Sequence, residues 1–118
     1  MAGSVEWDRQ FQLWHYNVRY SRLLIRGIDQ SLTPKRVEIL FSNVEYLRVR
    51  SLYDSISIRE IATTDRRLVG IPEDFPMRGK IFSINDGTDY VIATHCQWAE
   101  DDGGAHSPSS FGSLQGVE

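Results

Sequence analysis

Three histidines and one cysteine have the widest chemical reach in this chain of 118 residues: His15, His95, His106 and Cys96. A zinc site needs imidazoles or thiolates paired at short spacing, because two ligands on one turn fix half of the coordination shell. His95 and Cys96 are adjacent instead, and neighbours on a strand point to opposite faces. They cannot share a metal without a bulge. Cys96 is in phase with Tyr90, Ile92, Thr94 and Trp98, so it reads as a core thiol. A cysteine nucleophile also needs a base beside it and a group to orient that base. His15 and His95 could serve as base, but no glycine turn of the oxyanion type precedes Cys96. The patterns G-x-S-x-G, H-E-x-x-H and G-x-x-x-x-G-K-[ST] do not occur. Paired carboxylates at Glu73-Asp74 and Asp101-Asp102 fall in loop-like or tail stretches, where solvated charge is the ordinary role. The expectation is a protein that is not an enzyme and holds no metal or cofactor.

Binding chemistry is better represented. Trp14, His15, Tyr16, Tyr20 and Trp98 form a candidate ligand pocket, if these aromatics line a cavity rather than fill it. Arg19, Arg22, Arg26, Arg36, Arg48 and Arg50 interleave with the same aromatics, a pattern that a small barrel uses to stack bases along a basic groove. Two observations oppose single-stranded nucleic acid as the ligand. Trp14, Tyr16 and Val18 share one strand face, as core residues do, and the isoelectric point near 5.6 departs from the basic footprint of nucleic-acid binders.

The elements that must position these residues are strands. Phe11–Val18 and Leu23–Gly27 read as a hairpin, because the apolar alternation changes phase across Arg19-Tyr20-Ser21-Arg22. Gly27–Pro34 is a loop by composition, and Arg36–Phe41 alternates again with Val37, Ile39 and Phe41 on one face. A bulge between Tyr46 and Leu47 would bring Val44, Tyr46, Leu47 and Val49 to one core. Ser55–Ile61 suits a fifth strand, with a helix over Ile58–Val69 as the rival. Val69–Gly79 holds two prolines and must be irregular. Lys80–Ile84 and Tyr90–Trp98 flank Asn85-Asp86-Gly87-Thr88-Asp89, the turn chemistry of a second hairpin. The fold class is therefore all-β, a single antiparallel sandwich or small barrel of six to seven strands. Its core is drawn from Trp14, Tyr16, Val18, Leu23, Ile25, Val37, Ile39, Phe41, Val44, Leu47, Ile56, Phe82, Ile92 and Trp98.

Domain organisation follows from composition. A hydrophobic share of 41% and a charged share of 25% are ordinary for a globular domain. Residues 1–99 read as one β domain opened by a short polar arm over residues 1–8. Residues 100–118 read as a disordered polar and acidic tail that contributes little to stability.

The stretch Leu13–Arg26, followed by Val37–Leu47, resembles small uncharacterised bacterial β-domains with a W-x-Y-x-V opening strand and an L-L-L-R second strand. The resemblance covers about the first half of the chain. It implies a β fold of bacterial origin and transfers no activity.

Charge points to a partner. Net charge is −3, with nine Lys/Arg against seven Asp/Glu in residues 1–60 and four against nine in residues 61–118, giving +2 and −5. The acidic half offers carboxylates to a basic protein. Strand edges at Arg36–Phe41 or Tyr90–Trp98 could also pair with a second copy. One cysteine excludes an internal disulfide and fits a reducing compartment. No apolar run approaches the roughly 20 residues that a membrane helix requires. The functional expectation is a cytoplasmic, non-enzymatic interaction domain of regulatory or toxin-neutralising kind. A small-molecule-binding barrel or sandwich is the alternative.

Overall fold

The computed structural model describes residues 3–104 and 106–112. Ten strands build two antiparallel sheets of five: β1 (Ser4–Trp7), β2 (Phe11–Asn17), β3 (Arg22–Ile28), β4 (Arg36–Ser42), β5 (Tyr46–Arg48), β6 (Leu52–Tyr53), β7 (Ile56–Ile61), β8 (Lys80–Ile84), β9 (Asp89–Ala93) and β10 (His95–Asp101). One sheet runs β1-β7-β8-β9-β5 and the other β10-β4-β3-β2-β6. The all-β class holds, as an open sandwich. The strand count exceeds six or seven for two reasons: short strands form at β1 and β6, and one long predicted strand is divided into β9 and β10. Within the predicted polar arm of residues 1–8, Ser4–Trp7 is strand β1, paired to β7.

The opening hairpin forms where the phase change places it. Asn17 Oδ1 accepts from the Tyr20 N–H, and Ser21 turns back in the left-handed region at φ 52°. The second predicted hairpin also forms, with β8 paired to β9 and Asn85 and Asp86 both at positive φ in its turn. Its second arm does not run on as one strand. The chain bends at Thr94, so β9 stays in the first sheet while β10 crosses to pair β4 in the second. The bend also changes the phase. Val91, Ala93 and Cys96 enter the main core, while Tyr90 and Ile92 point to the opposite face of their sheet.

The main core lies between the sheets and includes Phe11, Leu23, Ile25, Val37, Ile39, Phe41, Val44, Ile56, Ile58, Phe82 and Ile84. Gly27 belongs to this packing: a Cβ there would stand 2.7 Å from the Phe11 ring. Tyr53 ties the two sheets together, donating its hydroxyl to Asp89 Oδ2 at 2.8 Å and accepting from the Arg50 N–H. A smaller cluster covers the outer face of the first sheet. Thr63–Val69 folds as a 3₁₀ segment, and it and the loop to Gly79 press Val69, Ile71, Phe75 and Met77 onto Ile61, Ile81, Tyr90 and Ile92. Thus Ile92 is buried as expected, but outside the sandwich core. The predicted irregular loop is therefore a packed cover, anchored where both Glu45 oxygens accept the Arg78 and Gly79 N–H groups.

Four expected core residues are not in the core, Trp98 at 39% exposed among them. Trp14 is 38% exposed, Tyr16 37% and Val18 75%. A register shift between Leu13 and His15 resets the alternation, so Phe11 and Leu13 face the core and Trp14 lies on the outside. Tyr46 also departs from expectation: Val44, Leu47 and Val49 reach the core, but Tyr46 stacks on Tyr90 outside it. Trp98 stands half-buried at a rim, edge-on to Trp7 at 6.1 Å between centroids. The predicted edges hold only in part, for His95–Trp98 on β10. β4 is paired on both sides and β9 likewise, so neither Arg36–Phe41 nor Tyr90–Ala93 is free. Among the described residues the long one-sided strand is β10.

Candidate interaction site

Alternation on β3 and β4 sends Leu23, Ile25, Val37, Ile39 and Phe41 inward, and it sends Arg26, Arg36 and Glu38 to the outer face of their sheet. That face is nevertheless covered. Glu38 has no exposed surface, and Arg26 and Arg36 are nearly as enclosed. Such charges are tolerated only when paired and hydrogen-bonded. Arg26 Nη2 and Nε donate to Glu38 Oε2 at 2.9 and 3.2 Å, with the Trp14 ring 4.5 Å from the Arg26 guanidinium carbon. Arg36 forms a two-pronged pair with Asp101, both contacts at 2.7 Å.

The remaining bonding capacity of this row goes to the segment after β10. Arg36 donates to the carbonyls of Gly104, Ser107 and Pro108, and Glu38 Oε1 accepts from the Ser110 N–H and hydroxyl. Gly103 passes so close to Arg36 that a Cβ would stand 2.6 Å from the guanidinium. Residues 100 and 101 are strand, and residues 102–112, apart from Ala105, form a strap across the sheet where the sequence suggests disordered tail. Residues 113–118 lie outside the described residues. Composition missed the strap because its anchors are polar and sit 65 to 72 residues away on the chain. The Arg36 contact is the main influence holding the Asp101 carboxyl down to about 2, and Asp101 in turn raises Arg36. Burial pushes Glu38 upward, but the Ser110 and Arg26 contacts together carry it below the usual carboxylate value. The row is two cations against two carboxylates, and it is saturated.

Of the five residues of the predicted pocket, Trp14, His15 and Tyr16 lie on β2 and Tyr20 in the turn after it, while Trp98 stands apart. Trp14 is spent on Arg26, and Tyr20 lies in the β2–β3 turn under the Arg19 guanidinium. His15 Nε2 is buried without a hydrogen-bond partner. Trp98 is on β10, separated from β2 by β4 and β3. Trp14 does border an open depression with Gln12, Leu13, Ser51 and Leu52. Cys96 is buried, and burial pushes its thiol up to about 12, which suppresses the thiolate that nucleophilic chemistry needs. No group of three or more His, Cys, Asp or Glu side chains among the described residues is arranged to hold a metal. No helix among them is long and apolar enough to cross a membrane.

A polar cleft of about 540 Å³ opens instead between β1, the start of β7 and the β8–β9 turn, lined by Glu6, Trp7, Asp8, Ser55, Ile56, Ser57, Asn85 and Asp86. The turn is fixed there by Asn85, whose Oδ1 accepts from the Ser57 N–H and whose Nδ2 donates to the Ser55 carbonyl. Register places Glu6 opposite Ser57 on the outer face and Trp7 opposite Ile56 on the core face. Asp86 is paired with Arg59 at 3.0 Å. Three carboxylates, Glu6, Asp8 and Asp86, thus line the cleft, and the Arg59 partner of Asp86 lies outside the lining. None of these residues stands out in the sequence, because Glu6 and Asp8 meet Asp86 only through the β1–β7–β8 pairing. The left-handed turn at Asn85-Asp86 was the one readable signal. No family model matches the chain, and no curated protein or solved structure is significantly similar to it.

Proposed function

We propose that this protein is a non-enzymatic, cytoplasmic protein-interaction domain, regulatory or toxin-neutralising, whose acidic cleft receives a cationic partner. The observation that carries the reading is the set of Glu6, Asp8 and Asp86 lining one open polar cleft. Two of the arginines that could have favoured an anionic partner, Arg26 and Arg36, are buried against Glu38 and Asp101. That row is neutral in sum, so the net charge of −3 belongs to the rest of the molecule. Carboxylates arranged this way speed encounter with a basic surface and discriminate against acidic ones. The likeness of the opening hairpin to small bacterial β-domains supports a bacterial setting, and the lone buried cysteine suits a reducing one.

The test is recovery of a partner from a bacterial lysate, run in parallel with the Glu6→Lys/Asp8→Lys variant. A stoichiometric basic protein that is retained by the parent, released by salt and lost on the variant supports the reading. Release is expected as the screening length falls from about 10 Å to about 3 Å between 0.1 and 1 M salt. A partner that binds parent and variant equally, or a co-purifying small molecule in its place, overturns it.

A further inference from the structure

We infer that the partner segment is an extended strand that adds to β1, with cationic and apolar residues alternating along it. This rests on the acidic-cleft reading and specifies its ligand. Among the described residues β1 is paired on one side only, to β7, so its far side presents unpaired N–H and C=O groups. An open edge of this kind takes a peptide by continuing the ladder, with backbone bonds giving affinity and alternate side chains giving specificity. The two faces of β1 differ. Val5 and Trp7 face the core, and the Trp7 ring meets Phe11 and Trp98 at the rim where the two sheets meet. Ser4 and Glu6 face outward, and Asp8 follows at the same spacing.

An added strand therefore sets apolar side chains against Val5 and the Trp7–Trp98 rim. Its alternate residues fall opposite Ser4 and Glu6, with Asp8 just past the end of the strand. Directly opposed cross-strand residues interact at about 5 Å, where opposite charges attract and like charges repel. The same geometry disfavours a second copy of this edge, which would bring carboxylates together. It also disfavours an acidic or purely apolar strand. The cationic, alternating strand is the occupant that satisfies the backbone, the rim and the carboxylates at once.

The probe is a short amidated peptide centred on Lys-Val-Lys-Val-Thr, compared with the same residues in the order Lys-Lys-Val-Val-Thr. Both are titrated into the full chain while backbone amide resonances are followed. The expected result is shifts concentrated on Ser4–Asp8 and Ser55–Ser57 and binding about tenfold tighter for the alternating peptide. Amide exchange on β1 should also slow, and Glu6→Lys, an exposed substitution checked by circular dichroism, should abolish the shifts. Equal binding of the two peptides at the cleft would overturn strand addition while leaving the acidic-cleft reading standing. Shifts elsewhere, or none with either peptide, would overturn both.

Discussion

Glu38 on the central strand β4 and Ser110 in the C-terminal strap are joined twice, by the Ser110 N–H at 2.9 Å and its hydroxyl at 2.8 Å, both to Oε1. The other carboxylate oxygen belongs to Arg26. One buried side chain therefore couples the sheet to the strap. Predictions about this outer face start from it.

Replacing Glu38 with Leu strands the Arg26 guanidinium in a site closed to water and removes the acceptor of Ser110. The expected loss is about 3–5 kcal/mol, the range for breaking a buried pair from one side. Arg26→Met combined with Glu38→Leu should recover part of it, since replacing both partners leaves no lone charge. Urea midpoints of the two variants, read against the parent, check the ordering.

The strap is expected to be stabilising, against its tail-like composition. Ser110→Ala removes the hydroxyl bond to Glu38 but leaves the N–H bond, at an expected cost of about 1 kcal/mol. Thermal unfolding should shift down by roughly 3–5 °C. Hydrogen exchange should quicken over residues 106–112 while the β3 and β4 amides hold. A variant indistinguishable from the parent would show that the hydroxyl bond adds nothing.

Acid should loosen the same face. The carboxyls of Asp101 and Glu38 titrate lower in the folded chain than in the unfolded one, Asp101 falling from 3.8 to about 2. Their stabilisation is therefore complete above the unfolded values and is lost as pH falls toward about 2. Asp101→Asn should be less stable than the parent at neutral pH and should flatten the decline between about pH 5 and 2. Denaturant melts across that range measure both effects.

Cys96 packs between the sheets with its thiol raised to about 12. Its reaction with a disulfide reagent at pH 8 should be slow in the native state and complete at once in guanidinium. Rapid reaction without denaturant would show that β10 opens readily.

The sequence by itself determined the strand inventory of the centre and the nature of the turns. Leu23–Ile25 and Val37–Phe41 are apolar enough to read as strands, and Asn85 and Asp86 supply a turn that local sterics favour. It also read Cys96 as buried, but by phase with Tyr90 and Ile92, which lie on the opposite face of their sheet. The bend at Thr94 is what turns Cys96 into the core. Period alone does not say which face is inward, and one bulged residue inverts the answer. Trp14 shows this beside the shift at Leu13/His15 that pairing with β3 sets, whereas Tyr16 is exposed opposite Leu23 near the end of β2 and Val18 lies past that end, in the turn. The bend at Thr94 is also decided by partners, β9 pairing within one sheet and β10 with β4 in the other. Buried charge is the deepest example. Arg26, Glu38, Arg36 and Asp101 look like ordinary surface residues until strand register and a strap exclude water from them together. The acidic cleft has the same origin: Glu6 and Asp8 come to Asp86 through β-pairing at long sequence separation, and no local pattern encodes that meeting.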